Sequence, residues 1–355
     1  MTDIDDNNAE NIILSDDRGN ATIYGIGVEA IKRYVVVYLN LSKQTGGFER
    51  LDKDYPLSLD EKRVILAGFG SNLPPEKATN DQVSEELIRQ SSTTFDIERS
   101  ITTGVYIELR QKLAEMFDEL KNNTKDFSTF NAEYIVSHPQ MLPIFQRLLG
   151  VASKAELKRK FKTASDGKIS KKSSQLIAEE LNKTSEHINR NKTFILNSIE
   201  PTLEGIVRDL AGRYALEGIV EQALIDNRII YSKESENKKI KGVVYDHRAD
   251  FTIFDGDDPI VFIEVRKSSS RHASLYSKDK MFSAINWKGK NKELLAVIIT
   301  DGPWIEETLR VMAKVFDYVT PIRKSLDVAE SIAAYVNGDK SKLKYVINFS
   351  IDQIN

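Results

Sequence analysis

The stretch Arg248–Lys267, RADFTIFDGDDPIVFIEVRK, decides how this chain is read. Its middle, Asp255-Gly256-Asp257-Asp258-Pro259, gathers residues that favour turns for separate backbone reasons, between runs rich in Phe, Ile and Val. The stretch therefore predicts a β-hairpin. With residues 255–259 as its loop, Phe254 faces Ile260, Thr252 faces Phe262 and Asp250 faces Glu264. Side chains alternate between the faces of a strand. Phe251, Ile253, Val261, Ile263 and Val265 then make one apolar face. Asp250, Thr252, Glu264 and Arg266 share the other face at the open end, with Phe254, Ile260 and Phe262 nearer the turn. Like charges directly opposite each other in a sheet cost roughly 0.2–1 kcal/mol. Two acids placed together beside a base call for a compensating partner, and a divalent metal ion is the simplest one.

Outward from the hairpin, the second half of the chain reads as alternating elements. Ser198–Asn227 predicts one long helix with Pro201 near its first turn, because Leu203, Ile206, Val207, Leu210, Tyr214, Ile219, Val220, Ala223 and Leu224 recur at helical spacing. Ile229–Ser232 and Val243–Tyr245 predict a strand interrupted by the polar loop Glu234–Lys241. After the hairpin come a helix over Ser270–Trp287, a fully buried strand over Leu294–Thr300 (LLAVIIT), a helix over Trp304–Tyr318 and a last strand over Lys344–Ile351. The order is that of a mixed α/β layered fold.

The first half is plainer. Residues 1–20 are polar and expected to be loosely attached. Ile31–Leu41 (IKRYVVVYLNL) is rich in β-branched and aromatic residues and predicts a strand. Asn80–Leu120 predicts helix with a break at Ser91–Thr94 and Asp81 as N-cap, and Met141–Leu149 a short helix closed by Gly150. Ser174–Asn189 is helical again. Between Lys154 and Ser173 stand eight Lys/Arg against two acids, Glu156 and Asp166. That run fits a solvated helix face plus a loop at Ser165-Asp166-Gly167, or a local phosphate-attracting patch.

The whole chain sets bounds on these readings. Its 355 residues suffice for one large or two modest domains, and 41% hydrophobic with 29% charged residues fits a soluble globular protein. No apolar run approaches the roughly 20 residues that span a bilayer, and the acidic start MTDIDDNNAENIIL lacks a signal-peptide pattern, so a cytoplasmic protein is expected. Zero cysteines exclude disulfides, thiolate metal sites and a cysteine nucleophile, and four histidines make a histidine zinc cage a poor fit. The net charge of −3 gives no global pull toward nucleic acid. Gly25-x-Gly27 is too short for a dinucleotide loop, and the Asp255–Asp258 loop lacks the spacing of a calcium site and reads as a turn.

An aspartate on one strand and an acid-x-base triplet on the next, inside an αβββαβ order, resemble the PD-(D/E)xK nuclease superfamily. Within it, Arg248-Ala249-Asp250-Phe251 followed by Glu264-Val265-Arg266 is similar to type II restriction endonucleases, and the helix RHASLYSKDKMFSAINWKG has the same look. The resemblance covers Arg213–Thr300. It implies a mixed central β-sheet carrying an αβββαβ nuclease core at 196–355, preceded by a largely helical region at 1–195 for DNA recognition or dimerisation. It implies that Asp250 and Glu264 bind Mg2+ and that Arg266 stands in the place of the motif lysine. Arginine supplies charge and hydrogen bonds but cannot serve as a general base. Lys267 points to the other face unless a bulge near Val265 re-aims it. A further acid from the preceding helix is expected in such nucleases; Glu217 in Arg213-x-x-x-Glu217 fits, as catalytic residue and metal ligand, or else forms an i,i+4 ion pair with Arg213. Glu221, one turn on, reads better as an ordinary surface acid. Arg271, Lys278, Lys280, Lys288 and Lys290 either line a DNA channel or form a charged helix face, and His247 and His272 read as surface or hydrogen-bonded histidines. Trp287 and Trp304 read as core or interface residues rather than base-stacking platforms.

The implied activity is site-specific, Mg2+-dependent hydrolysis of double-stranded DNA in a restriction-modification system. The implied partners are a second copy of the chain in a homodimer and a cognate DNA methyltransferase. Two other readings remain: a structure-specific or repair nuclease, and a non-catalytic DNA-binding protein that keeps a nuclease-like sheet.

Overall fold

The computed structural model describes residues 22–350, apart from 53–54, 91–94, 152, 163, 185–186, 237, 269–272 and 344–345. The polar start 1–20, the Ser91–Thr94 break, and Arg271 and His272 lie outside the described residues. Two compact units emerge: one runs to Leu41 and resumes over Phe48–Tyr214, and the other holds Ser42–Gly47 and everything from Ala215. The sequence pattern places that boundary at 195/196 instead.

The first unit is helical. Its helices are α1 (Ile23–Thr45), α2 (Leu59–Phe69), α3 (Asn80–Gln90), α4 (Ile97–Asn123), α5 (Ala132–Ser137), α6 (Leu142–Leu148), α7 (Lys154–Phe161), α8 (Lys171–Lys183) and α9 (Lys192–Leu210). A two-stranded hairpin, β1 (Ala164–Ser165) and β2 (Lys168–Ile169), separates α7 from α8. The strand expected at Ile31–Leu41 is wrong: these residues lie in α1. Ile31, Tyr34, Val35, Tyr38 and Leu39 are all buried, the i, i+3, i+4, i+7, i+8 stripe of a helix. That packing overrides the β-preference of the Val-Val-Val run. Gly104 of α4 lets Tyr34 close in, since a Cβ there would stand 2.1 Å from the ring. The cap of α3 is Thr79, not Asp81: Gln82 N donates to Thr79 Oγ1 at 3.2 Å and Thr79 N to Gln82 Oε1 at 2.9 Å. Pro201 lies well inside α9 rather than in its first turn.

A π-helical turn, Ala211–Ala215, follows α9 and leads into α10 (Leu216–Asp226). From there the second unit runs β3 (Ser232–Lys233), β4 (Phe251–Asp255), β5 (Asp258–Lys267), α11 (Ala273–Lys290), β6 (Leu295–Asp301), α12 (Glu306–Met312), β7 (Tyr318–Pro321) and α13 (Ser325–Val336). The five strands form one mixed sheet in the order β3-β4-β5-β6-β7, antiparallel from β3 to β5 and parallel from β5 to β7. The fold is thus mixed α/β with a largely helical first half, and α10 to β6 follow the order αβββαβ. Val261–Val265 of β5 and Leu295–Thr300 of β6 are buried throughout, as expected of central strands covered on both faces. Phe262, Ala296 and Ile298 pack with Ala284 and Trp287 of α11 and with Met312 and Phe316 on one side of the sheet.

Three expectations in this unit fail. Val243–Tyr245 is not a strand; β3 is short, and Ile240 and His247 form an isolated bridge. Tyr318 ends no helix but begins β7. Residues 346–350, the described part of the strand expected at 344–351, are not in a strand. Among the described residues no helix is long and apolar enough to cross a membrane.

Candidate active site

The hairpin forms, but with a tighter turn than expected. Asp255 pairs with Asp258, leaving Gly256-Asp257 at the tip, and Phe254 pairs with Pro259 rather than Ile260. Gly256 has φ +59°, a conformation that suits glycine. A register shift between Ile253 and Phe254 absorbs the difference. Beyond it Thr252 faces Phe262 as read from the sequence. The shift is confined to the turn end, and the β5–β6 ladder is regular from Val261 through Lys267. Nothing near Val265 therefore reverses the alternation of Arg266 and Lys267.

Asp250 sits just before β4 and is 6% exposed. Its Oδ2 accepts from Val265 N at 2.7 Å, which ties it across to β5. Glu264 lies on β5 with no exposed surface. Arg266 bridges the two acids: Nη1 donates to Asp250 Oδ2 at 2.7 Å, and Nη2 donates to Asp250 Oδ1 at 3.3 Å and to Glu264 Oε2 at 2.7 Å. Lys267, the neighbour on the other face, is exposed.

A fourth residue enters from α11. Lys280 Nζ stands 3.0 Å from Glu264 Oε2 and is largely buried. By sequence it is one of several channel or surface lysines, yet a finer signal is there. Lys280 lies four and seven residues before Ala284 and Trp287, which face the sheet, so it shares their stripe. Lys288 is on that stripe too. It is fully buried against Asp317, which rules out the channel role considered for it. Lys278 and Lys290 are exposed.

Burial and charge together set the state of these groups. Burial, then the charge on Asp250, pushes the Glu264 carboxyl up to about 8, against the pull of Arg266 and Lys280. Glu217 of α10 is pushed up to about 7 by burial and then by Asp250, with Lys233 and Arg266 opposing. The charge of Asp250 therefore reaches Glu217. The side chain of Arg213 lies outside the described residues, so the alternative ion pair does too. Burial opposes the charge on Arg266, but Glu264 and Asp250 hold its pKa above the ordinary arginine value. Glu221 stands apart, bonded by Tyr231 Oη and Lys233 Nζ, each at 2.8 Å.

The fit to a divalent ion rests on one atom. Glu264 Oε1 is buried with no hydrogen-bond partner. A buried carboxylate oxygen without a partner costs about 1–3 kcal/mol or more, and burial is the main reason that the Glu264 pKa is raised. Among the described residues no group of three or more His, Asp or Glu side chains is arranged to hold a metal ion. The donor set is a carboxylate pair, which suffices for Mg2+ because that ion keeps several of its waters. Comparison of the chain with protein-family models, curated proteins and solved structures finds no match.

Proposed function

We propose that this chain is a Mg2+-dependent endonuclease of the type II restriction class, hydrolysing double-stranded DNA at a specific short sequence. The observation that carries the reading is the carboxylate pair Asp250 and Glu264, bridged by Arg266 and left with Glu264 Oε1 unpartnered. Support comes from the αβββαβ order around the pair and from the resemblance of its strands to the PD-(D/E)xK nucleases. Asp250 and Glu264, with Glu217 nearby, would hold the ion. When bound, Mg2+ supplies Lewis-acid polarisation of the scissile phosphate and an activated water. The protein's own part is positioning and charge. Val265 N fixes the Asp250 carboxylate, and Lys280 fixes that of Glu264. The Arg266 guanidinium places fixed positive charge where negative charge grows on phosphorus, and it neither takes nor gives up a proton. Cutting both strands symmetrically calls for two such sites, hence a C2 homodimer. A cytoplasmic location and a cognate methyltransferase that protects the host's own sites belong to the same reading.

Plasmid DNA incubated with the protein and Mg2+ should give discrete fragments with one end sequence. Asp250→Ala and Glu264→Ala should each slow cleavage by roughly 10²–10³-fold or more, the range for losing a group aimed at transition-state charge. Cleavage by both variants at the wild-type rate sinks the proposal, and nicking that follows DNA structure rather than sequence points to a repair nuclease. One observation favours a non-catalytic reading: Arg266 already engages both oxygens of Asp250 and one of Glu264. If Mg2+ and Mn2+ fail to bind while DNA still does, that second reading holds.

A further inference from the structure

The basic run between Lys154 and Ser173 folds into a single element: α7, the β1–β2 hairpin and the start of α8. Leu157 and Phe161 turn inward, while Lys158 and Arg159 of α7 are exposed. The hairpin is anchored by buried Ile169 and tied by Ser165 Oγ, which accepts from Lys168 N and donates to Lys168 O, each at 3.2 Å. Alternation then leaves Lys168 exposed. Ser170 caps α8, its Oγ accepting from Ser173 N at 3.1 Å, and Lys171 and Lys172 stand exposed in the first turn.

Two features of this charge are not those of an ordinary solvated surface. Glu156 is taken up by Lys160 at 2.8 Å, and among the described residues no carboxylate lies within 4.0 Å of Lys158, Arg159, Lys162, Lys168, Lys171 or Lys172. Elsewhere in the chain exposed bases are often paired, as Lys192 is with Asp118 and Arg310 with Glu306. Lys171 and Lys172 also sit at the positive end of a helix whose first turn holds no acid. Each such placement costs roughly 0.3–1 kcal/mol. Folding alone gains nothing from these positions, in a chain whose net charge is −3.

We infer that the α7–hairpin–α8 element docks on the phosphate backbone of duplex DNA and sets affinity and salt dependence without reading bases. The inference rests on the proposed DNA substrate. Lysines dominate the surface, and an ammonium is a point charge that suits phosphates, whereas bidentate Arg, Asn or Gln side chains read base edges. Duplex DNA presents one charge per ~1.7 Å of axis, and an eight-residue helix such as α7 spans about 12 Å, so several phosphates lie within reach of the element. Contacts of this kind position a protein on DNA but carry no sequence information.

The test uses the full chain and a duplex of random sequence, with EDTA present to prevent cutting, titrated by fluorescence anisotropy between about 50 and 200 mM salt. The variant combines Lys158→Gln, Arg159→Gln, Lys168→Gln and Lys171→Gln, all at exposed positions, and an unchanged thermal midpoint certifies its fold. The slope of log K against log salt should become shallower by about 3–4, near 0.9 for each phosphate that is no longer neutralised. Binding should weaken equally on random and cleavable duplexes. An unchanged slope overturns the inference. So does wild-type protein that binds anionic vesicles or an acidic polypeptide but no duplex. An unchanged slope leaves the endonuclease reading to be judged separately, by the cleavage rates of the Asp250 and Glu264 variants, whereas wild-type protein that binds no duplex counts against both.

Discussion

The side chains of Lys288, Asp317 and Glu264 are all fully buried, yet the two clusters they define in the sheet-bearing unit follow opposite rules. Around Asp317 every acceptor is used. Oδ2 takes the Lys288 ammonium and Ala296 N at 2.7 Å, and Oδ1 takes Ile347 N at 2.6 Å. One acid meets one base, and the pair joins α11, the start of β6, the turn before β7 and the C-terminal segment. Around Glu264 the groups are two buried acids, a third acid at charge range, two bases, and one oxygen with no partner. The closed cluster needs nothing from outside. The open one keeps an unused buried acceptor, which is what a site completed by a cation would leave when empty. Folding accounts for the first cluster, whereas the second leaves a buried oxygen that the proposed cation would satisfy.

The comparison breaks most sharply if the closed pair is cut. Lys288→Met leaves Asp317 buried without its counter-charge, at a cost of about 3–5 kcal/mol. Burial already depresses the Lys288 pKa, held up only by the bond and charge of Asp317. Urea melts should show the full loss, and any fall in DNA cleavage should be recovered at lower temperature, where the variant is folded. A variant as stable as the wild type would mean that this pair is not structural.

Both clusters illustrate what is legible in the sequence. The hairpin is readable because period-two alternation and turn residues agree, and alternation alone puts Arg266 rather than Lys267 beside the two acids. The pairing nearest the turn escapes such a reading because a two-residue turn with a register shift and a five-residue loop leave the same pairing at Thr252–Phe262. The inward lysines of α11 are hidden for another reason. Lys280 and Lys288 occupy buried-stripe positions, but a lysine there is buried only if an acid waits, and Glu264 and Asp317 come from other strands and loops. α1 reads as a strand only when local β-preference is weighed above the 3.6-residue period.

Glu264→Gln tests the open cluster and should act in the opposite direction to Lys288→Met. Because the folded state holds the Glu264 proton up to about pH 8, against an ordinary carboxyl value of 4.5, its contribution to stability is complete below about pH 4.5. That contribution falls away as pH rises toward 8 and is lost above it. The metal-free wild type should therefore lose roughly 2–4 kcal/mol across this window, in proportion to the shift. Glu264→Gln should flatten the loss and melt higher than wild type at pH 8 without metal. Thermal melts from pH 4 to pH 9 in EDTA check it. A wild-type curve that rises with pH and is matched by the variant would show that Glu264 is already paired as well as Asp317 is.

The smallest effect is the most discriminating, because one substitution should move two readouts in opposite directions. Glu217, pushed up to about 7, is partly exposed, so solvent screens much of its interaction with Asp250. Glu217→Gln removes a negative charge from an electron-rich site. In EDTA at pH 8 it should raise stability slightly, by less than about 1 kcal/mol. If Glu217 also faces the cation, the same change should weaken Mg2+ binding by roughly 10-fold or more, the scale seen when groups supporting a metal site are removed. Calorimetric Mg2+ titration beside the EDTA melt separates the cases. Higher stability with weaker Mg2+ binding marks a site strained for the sake of a ligand. Higher stability with unchanged Mg2+ binding removes Glu217 from the metal site and leaves Asp250 and Glu264 as its carboxylates.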